Sequence, residues 1–146
     1  MPAASKQMRF WVDVALESVR RDHTPSFGSG DQRGPFLTAR ALGMALGALH
    51  DGYALAGCGT QLLPFSVAAP ALPVGDPNTR YVAGAAACHE LLLHRYPAQS
   101  AALNMAWDFW VRLFEIPLPL MYPAESYGRM IGDAIHLLGI SDRQLG

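Results

Sequence analysis

Apolar residues recur at helical spacing over Met8–Asp22 (MRFWVDVALESVRRD), where Phe10, Val14 and Val12, Leu16, Val19 alternate with Asp13, Glu17, Arg20 and Arg21 elsewhere on the wheel. This predicts an amphipathic helix. The following HTPSFGSGDQRGP is rich in glycine, serine and proline and predicts an irregular loop, with Pro35 suited to the first position of a second helix. From Pro35 to about Ala56 the chain is nearly all apolar, which predicts a largely buried helix. Residues 57–77 (GCGTQLLPFSVAAPALPVGDP) hold four prolines and three glycines, too many for regular structure, so a long surface-hugging loop is expected. Asp76 and Pro77 then supply an N-cap and first-turn pair for a third helix to about Arg95. Pro97 restarts a fourth to about Phe114, EIPLPLMYP interrupts, and Ala124 to Leu138 forms a fifth before the tail GISDRQLG. No strand pattern or internal repeat stands out. The expected fold is all-α, one domain over residues 1–146, a bundle of about five helices with long Pro/Gly-rich loops.

Composition narrows the function classes. Apolar residues are 51% and charged ones 16%, which favours a well-packed globule over disorder. A formal charge of -1 offers no electrostatic footprint for nucleic acid, and no run is long and uncharged enough for a membrane span. The amino-terminal MPAASKQMRFWVDV lacks the charged and apolar regions of a secretory leader, so a cytoplasmic protein is expected. Cys58 and Cys88 have no CxxC partner, which argues against a zinc cluster or disulfide framework.

The apolar second helix, TARALGMALGALHDGY over residues 38–53, nonetheless carries Arg40, His50 and Asp51. Ala39, Gly43, Gly47 and Asp51 recur every four residues, leaving a smooth face that lets another backbone approach. VAGAAAC, residues 82–88 with Gly84 at its centre, offers a matching face, so the second and third helices are expected to cross in close contact at Gly47. Arg40 and Asp51 share a face but lie roughly 16 Å apart along the axis, so they cannot pair directly. Arg40, His50 and Asp51 are expected to be structural anchors. The alternative, an acid-base pair of His50 and Asp51, is disfavoured because adjacent helical residues point about 100° apart.

Other chemistry is weaker. In CHELLLHRY, residues 88–96, His89 and His94 are five apart and diverge by about 140°, unlike the four-residue spacing of HExxH, whereas Glu90 and His94 suit a salt bridge. Cys58 sits in a GCG turn with no histidine beside it in sequence, and a structural role is expected. The loop GSGDQRGP has Arg33 but no preceding strand and no lysine, so it makes a poor phosphate cradle. Trp107, Trp110 and Phe114 share a helical face, a possible docking surface if exposed, and otherwise core.

The segments FWVDVALESVRRDHT, GPFLTARALGMALGALHDGY and RYVAGAAACHELLLHRYP resemble the amino-terminal helices of vanadium-dependent haloperoxidases, relatives of the type-2 phosphatidic acid phosphatases. The RALGM...HDGY element resembles that family's RALGM...HDAY-type helix, and YGRMIGDAIHLL is similar to a later glycine-containing helix. The match is good over residues 8–57, moderate over 79–97 and loose over 122–139. The resemblance implies a helical bundle and an enzyme that binds vanadate, adds peroxide to it and oxidises halide. Such a site needs cations and N–H donors around an oxometallate, an imidazole ligand and an acid-base histidine. The family supplies them from Lys-x6-Arg-Pro, Pro-Ser-Gly-His and Ser-Arg-x5-His-x3-Asp motifs, none of which occurs here. The residue seven places after Lys6 is Asp13, Ser29-Gly30 is followed by Asp31, and the nearest histidine after Arg129 is His136, seven on. No catalytic, cofactor-binding or metal residue is therefore carried over, and vanadate is expected only for the complete enzyme. The expectation is a non-catalytic helical part, with the vanadate site on a second chain or on a missing segment of a longer product, or else a homo-oligomer. The alternative is a stand-alone helical interaction or scaffold protein, or a binder of apolar small molecules.

Overall fold

Ser5 opens the first helix, its hydroxyl accepting from the Met8 backbone N–H at 3.3 Å. The computed structural model describes residues 5–24, 30–73 and 75–145, with side chains as far as residue 140. The element order is α1 (Lys6–Asp22), α2 (Gly34–Leu55), α3 (Pro77–Arg95), a short 3-10 turn (Pro97–Gln99), α4 (Ser100–Leu113), a second 3-10 turn (Leu118–Met121) and α5 (Tyr122–Leu145). Among the described residues there is no strand. The all-α bundle of five helices is as the sequence predicts, and none of the helices is long and apolar enough to cross a membrane.

Capping chemistry sets the boundaries. Asp76 accepts from the Asn78 N–H at 2.9 Å, with Pro77 in the first turn of α3. The expected fourth helix divides, because the turn at Pro97–Gln99 is 3-10 and the α-helix starts at Ser100. The fifth differs most, starting two residues earlier than expected and running to Leu145 instead of stopping at Leu138. Gly139 does not end it. Its carbonyl accepts from the Arg40 guanidinium at 2.8 Å, and its bare backbone lies against Met44 of α2 and Arg95 of α3, so tertiary packing holds the helix through the glycine.

α3 is the central element. Val82 through Cys88 are all buried, with α2 on one side and α5 on the other. The small residues of VAGAAAC are what make this possible. A Cβ on Gly52 of α2 would lie 2.5 Å from the Ala83 carbonyl oxygen and 2.8 Å from the Gly84 Cα. On the other flank, a Cβ on Gly132 of α5 would lie 2.6 Å from the Ala87 carbonyl oxygen. α1 and α4 cover the remaining side with an aromatic cluster of Trp11, Trp107 and Trp110, where the Trp110 indole N–H donates to the Gln7 carbonyl at 3.0 Å.

The close α2–α3 crossing is therefore present, but not at Gly47. A Cβ on Gly47 would meet Leu63 of the 57–76 loop, and Gly43 has nothing within 4 Å. The four-residue stripe turns its carboxy-terminal end, Gly47 and Asp51, toward the 57–76 loop, the neighbouring Gly52 meets α3, and Gly43 is exposed. Gly84 packs as expected of a smooth contact, with the Leu49 carbonyl oxygen 2.9 Å and the Tyr53 Cβ 3.3 Å from where its Cβ would be.

Candidate functional site

Among the described residues, a constellation of titratable side chains lies on the seam between α3 and α5. His94 Nε2 is 2.7 Å from Asp133 Oδ1 and 3.4 Å from Glu90 Oε2. Glu90 also receives the Arg129 guanidinium at 3.2 Å, which in turn donates to Glu125 at 3.1 Å and to His89 Nδ1 at 3.0 Å. His136 stacks parallel on His94 with ring centroids 4.1 Å apart. Helix spacing explains the convergence: Glu90 and His94 are four apart on α3, while Arg129, Asp133 and His136 rise at steps of four and three along α5. The expected Glu90–His94 pair is present, and α5 adds a closer partner.

The environment tunes these groups. Burial pushes the Glu90 carboxyl above its ordinary value, and the neighbouring Asp133 carboxylate adds to this, while Arg129 opposes it. His136 is lowered by burial and by the positive potential of His94 and Arg95. His89 is enclosed by Trp11 and Trp107, whose ring stacks on it at 5.3 Å, and burial followed by the Arg129 charge drives its pKa down to about 3. Its Nδ1 accepts from Arg129, so the ring is neutral. The guanidinium also lies over Trp107 at 4.8 Å. The histidines of CHELLLHRY thus do separate work, His89 in an aromatic box and His94 on the seam.

A neutral buried histidine makes stability pH-dependent. The unfolded chain takes up a proton near pH 6.5 while the folded chain resists until about pH 3, so His89's contribution is complete above pH 6.5 and is lost as pH falls from there. The slope is about 1.4 kcal/mol per pH unit inside that window. Urea unfolding of His89→Asn at pH 7 and pH 5, in EDTA, should show a smaller loss between the two than the native chain. Equal losses would remove His89 from the account.

The residues singled out in α2 lie elsewhere. Asp51 is fully buried and accepts from the backbone N–H groups of Leu62 at 2.7 Å and Leu63 at 3.0 Å, holding the 57–76 loop onto the helix. Arg40 reaches α5 through the Gly139 carbonyl. His50 does not point away from Asp51: its Nδ1 is 2.9 Å from Asp51 Oδ1, because side-chain torsions close the divergence between adjacent helical positions. With His50 half exposed and the carboxylate occupied by two backbone donors, this pair is an anchor with a solvent-facing cap.

Trp107, Trp110 and Phe114 do not form a docking surface. Both tryptophans are buried and Phe114 packs edge-on against Phe10, since α1 lies across this face of α4. The exposed apolar positions of α4 are Met105, Phe109 and Leu113, spaced four apart. Beside them, hollows of about 380 and 590 Å³ run between α1 and α4, both lined by Phe10 and Ala106. A third hollow, about 610 Å³, lies between the end of α2 and the start of α3, where Arg80 covers the Tyr53 ring at 4.0 Å and the exposed Cys58 opens into it. Cys88 is buried, its thiol pushed up to about 12 by desolvation, and is chemically inert. In the loop after α1, residues 25–29 lie outside the described residues, and Arg33 folds back on the Gly30 carbonyl at 3.2 Å.

No family model matches the chain, and no curated protein or solved structure matches it either.

The seam does not fit vanadate. An oxoanion needs converging cations and N–H donors, but the guanidinium here is bonded to Glu90 and Glu125, and Asp133 adds a further carboxylate. Sequence reasoning missed Arg129, Asp133 and His136 as site residues. The spacings Arg-x3-Asp and Asp-x2-His on one helix were the available signal, but nothing in the sequence paired α5 with the Glu90–His94 face.

Proposed function

We propose that this chain is the non-catalytic helical part of a vanadium-dependent haloperoxidase-like enzyme, supplying scaffold and assembly surface to a second polypeptide that carries the vanadate motifs. The observation that supports this reading is the coincidence of three segments. Those that resemble the family's amino-terminal helices are α1, α2 and α3, and they pack on one another around the small residues of α3. On this reading Asp51 and Arg40 fix the geometry of α2 against the 57–76 loop and α5, and the protein contributes no reacting group. The assembly surface is the stripe Met105, Phe109 and Leu113, and the chain works in the cytoplasm with a partner chain or with copies of itself.

A stand-alone binder of apolar small molecules is the second reading, favoured by the hollow at Tyr53 and Arg80. The two separate in one experiment. The chain is co-expressed with whatever polypeptide is encoded beside it, then vanadate, peroxide and bromide are added and a halogen-accepting dye is followed. Activity that requires both chains, with a native mass equal to their complex, is the expected result. Phe109→Asp should lower complex formation at least about tenfold without changing the circular dichroism spectrum. A chain that stays alone beside an active companion would sink the proposal.

A further inference from the structure

We propose that Glu90, His94 and Asp133 form a binding site for a divalent first-row metal ion of the zinc class, on the seam between α3 and α5. The inference stands on geometry and is independent of the haloperoxidase-like reading. One ligand atom from each residue, two carboxylate oxygens and an imidazole nitrogen, lies within 4.8 Å of the other two. Tetrahedral donors around zinc at about 2.0–2.2 Å lie roughly 3.3–3.6 Å apart, so side-chain rotations that draw the three atoms in by about an ångström would close the set. One imidazole with two carboxylates is a donor set of intermediate hardness, which favours zinc over magnesium or calcium.

Three further features prepare the place. Gly132 precedes Asp133, and a Cβ there would lie 2.8 Å from the Glu90 Cβ, so the glycine is what lets the α5 backbone bring Asp133 to Glu90. The parallel stack of His136 fixes the ring plane of His94, and the His136 Nδ1 is buried without a hydrogen-bond partner one turn along from Asp133. The charge balance also favours a cation. Arg129 bonds Glu90 and Glu125, while the third carboxylate, Asp133, lies against His94 and Glu90. His94 and Asp133 keep 35% and 51% of their side-chain surface, so an ion reaches the donors from solvent without unfolding. Binding requires His94 neutral, with Nε2 offering its lone pair and Nδ1 carrying the proton.

The test uses the full chain stripped of metal with EDTA and dialysed. Zinc chloride is titrated by calorimetry, with magnesium chloride as the contrast, and the imidazole nitrogens are followed by long-range 1H–15N NMR. One zinc per chain is expected, with the His94 Nε2 resonance shifting on binding and magnesium failing to compete. Glu90→Gln, His94→Gln and Asp133→Asn should each weaken zinc at least about tenfold, with helical content retained by circular dichroism. Absence of zinc heat, or zinc binding that all three variants leave intact, overturns the site. So does a His94 resonance that does not move in the native chain, a readout that needs no variant to fold. If the variants alter thermal stability but the native chain takes up no zinc, the cluster is an ion-pair network only, and the proposal fails.

Discussion

Asp51→Ala is expected to lower the unfolding free energy by about 2–5 kcal/mol and to release the 57–76 loop while the helices persist. The carboxylate is fully buried in α2 and accepts the Leu62 and Leu63 N–H groups, so truncation leaves two donors without their acceptor, each worth about 1–3 kcal/mol where water cannot replace it. Leu62 itself is exposed, which places its share at the low end. Leu63 is not, and its side chain sits over Gly47, so its N–H carries more of the loss. Asp51→Asn should fall between, because one amide oxygen can satisfy one donor while the NH2 group faces the other. His50→Ala should cost under about 1 kcal/mol, since the ring is half exposed. Urea midpoints rank the three, and limited proteolysis within residues 57–76 reports the loop. An Asp51→Ala chain as resistant to protease as the native one would show that the loop is held by its apolar side chains, Leu63, Phe65 and Val67, and not by the carboxylate.

That loop illustrates what could be anticipated and what could not. The four prolines and three glycines of residues 57–77 excluded regular structure, and the length of the stretch implied burial under or over something. An aspartate in an apolar helix likewise had to find partners. Nothing local linked the two, because the bonds join residues eleven and twelve apart across an irregular turn. The same limit applies to the seam. Glu90 and His94 are visible as a helical pair, but Asp133 joins them from 39 positions further along the chain than His94, through a helix whose face is set by where Gly128 and Gly132 meet α3. Helix positions were legible because Pro35, Pro77 and Asp76 act locally; the end of α5 was not, because Arg40 and Met44 stabilise it from α2. The aromatic stripe Trp107, Trp110, Phe114 had the right periodicity for either core or interface. α1, lying across it, decides for core.

Glycine-to-alanine substitutions along α2 test the crossing most sharply, since they should change sign with position. Gly43→Ala is expected to stabilise by up to about 1 kcal/mol: the site is exposed, a Cβ there meets nothing, and alanine is the better helix former. At Gly47 the added methyl would meet the Leu63 Cδ1 at 2.8 Å, the far end of a flexible side chain, so the loop can yield and the net change should be small. At Gly52 the contact is with backbone, the Ala83 carbonyl oxygen and the Gly84 Cα, and neither can move unless α2 and α3 separate. Gly52→Ala should therefore lose about 3 kcal/mol or more despite the better propensity, at the upper end of overpacking costs. Separating α2 from α3 also shifts α3 relative to α5, because the Ala83 carbonyl that meets Gly52 also faces Gly128 from the other side. The loss should then appear as reduced protection of α5 amides in hydrogen exchange as well as a lower urea midpoint. Three alanine variants with the same midpoint would mean that α2 and α3 do not touch through Gly52, and the central position of α3 would have to be abandoned.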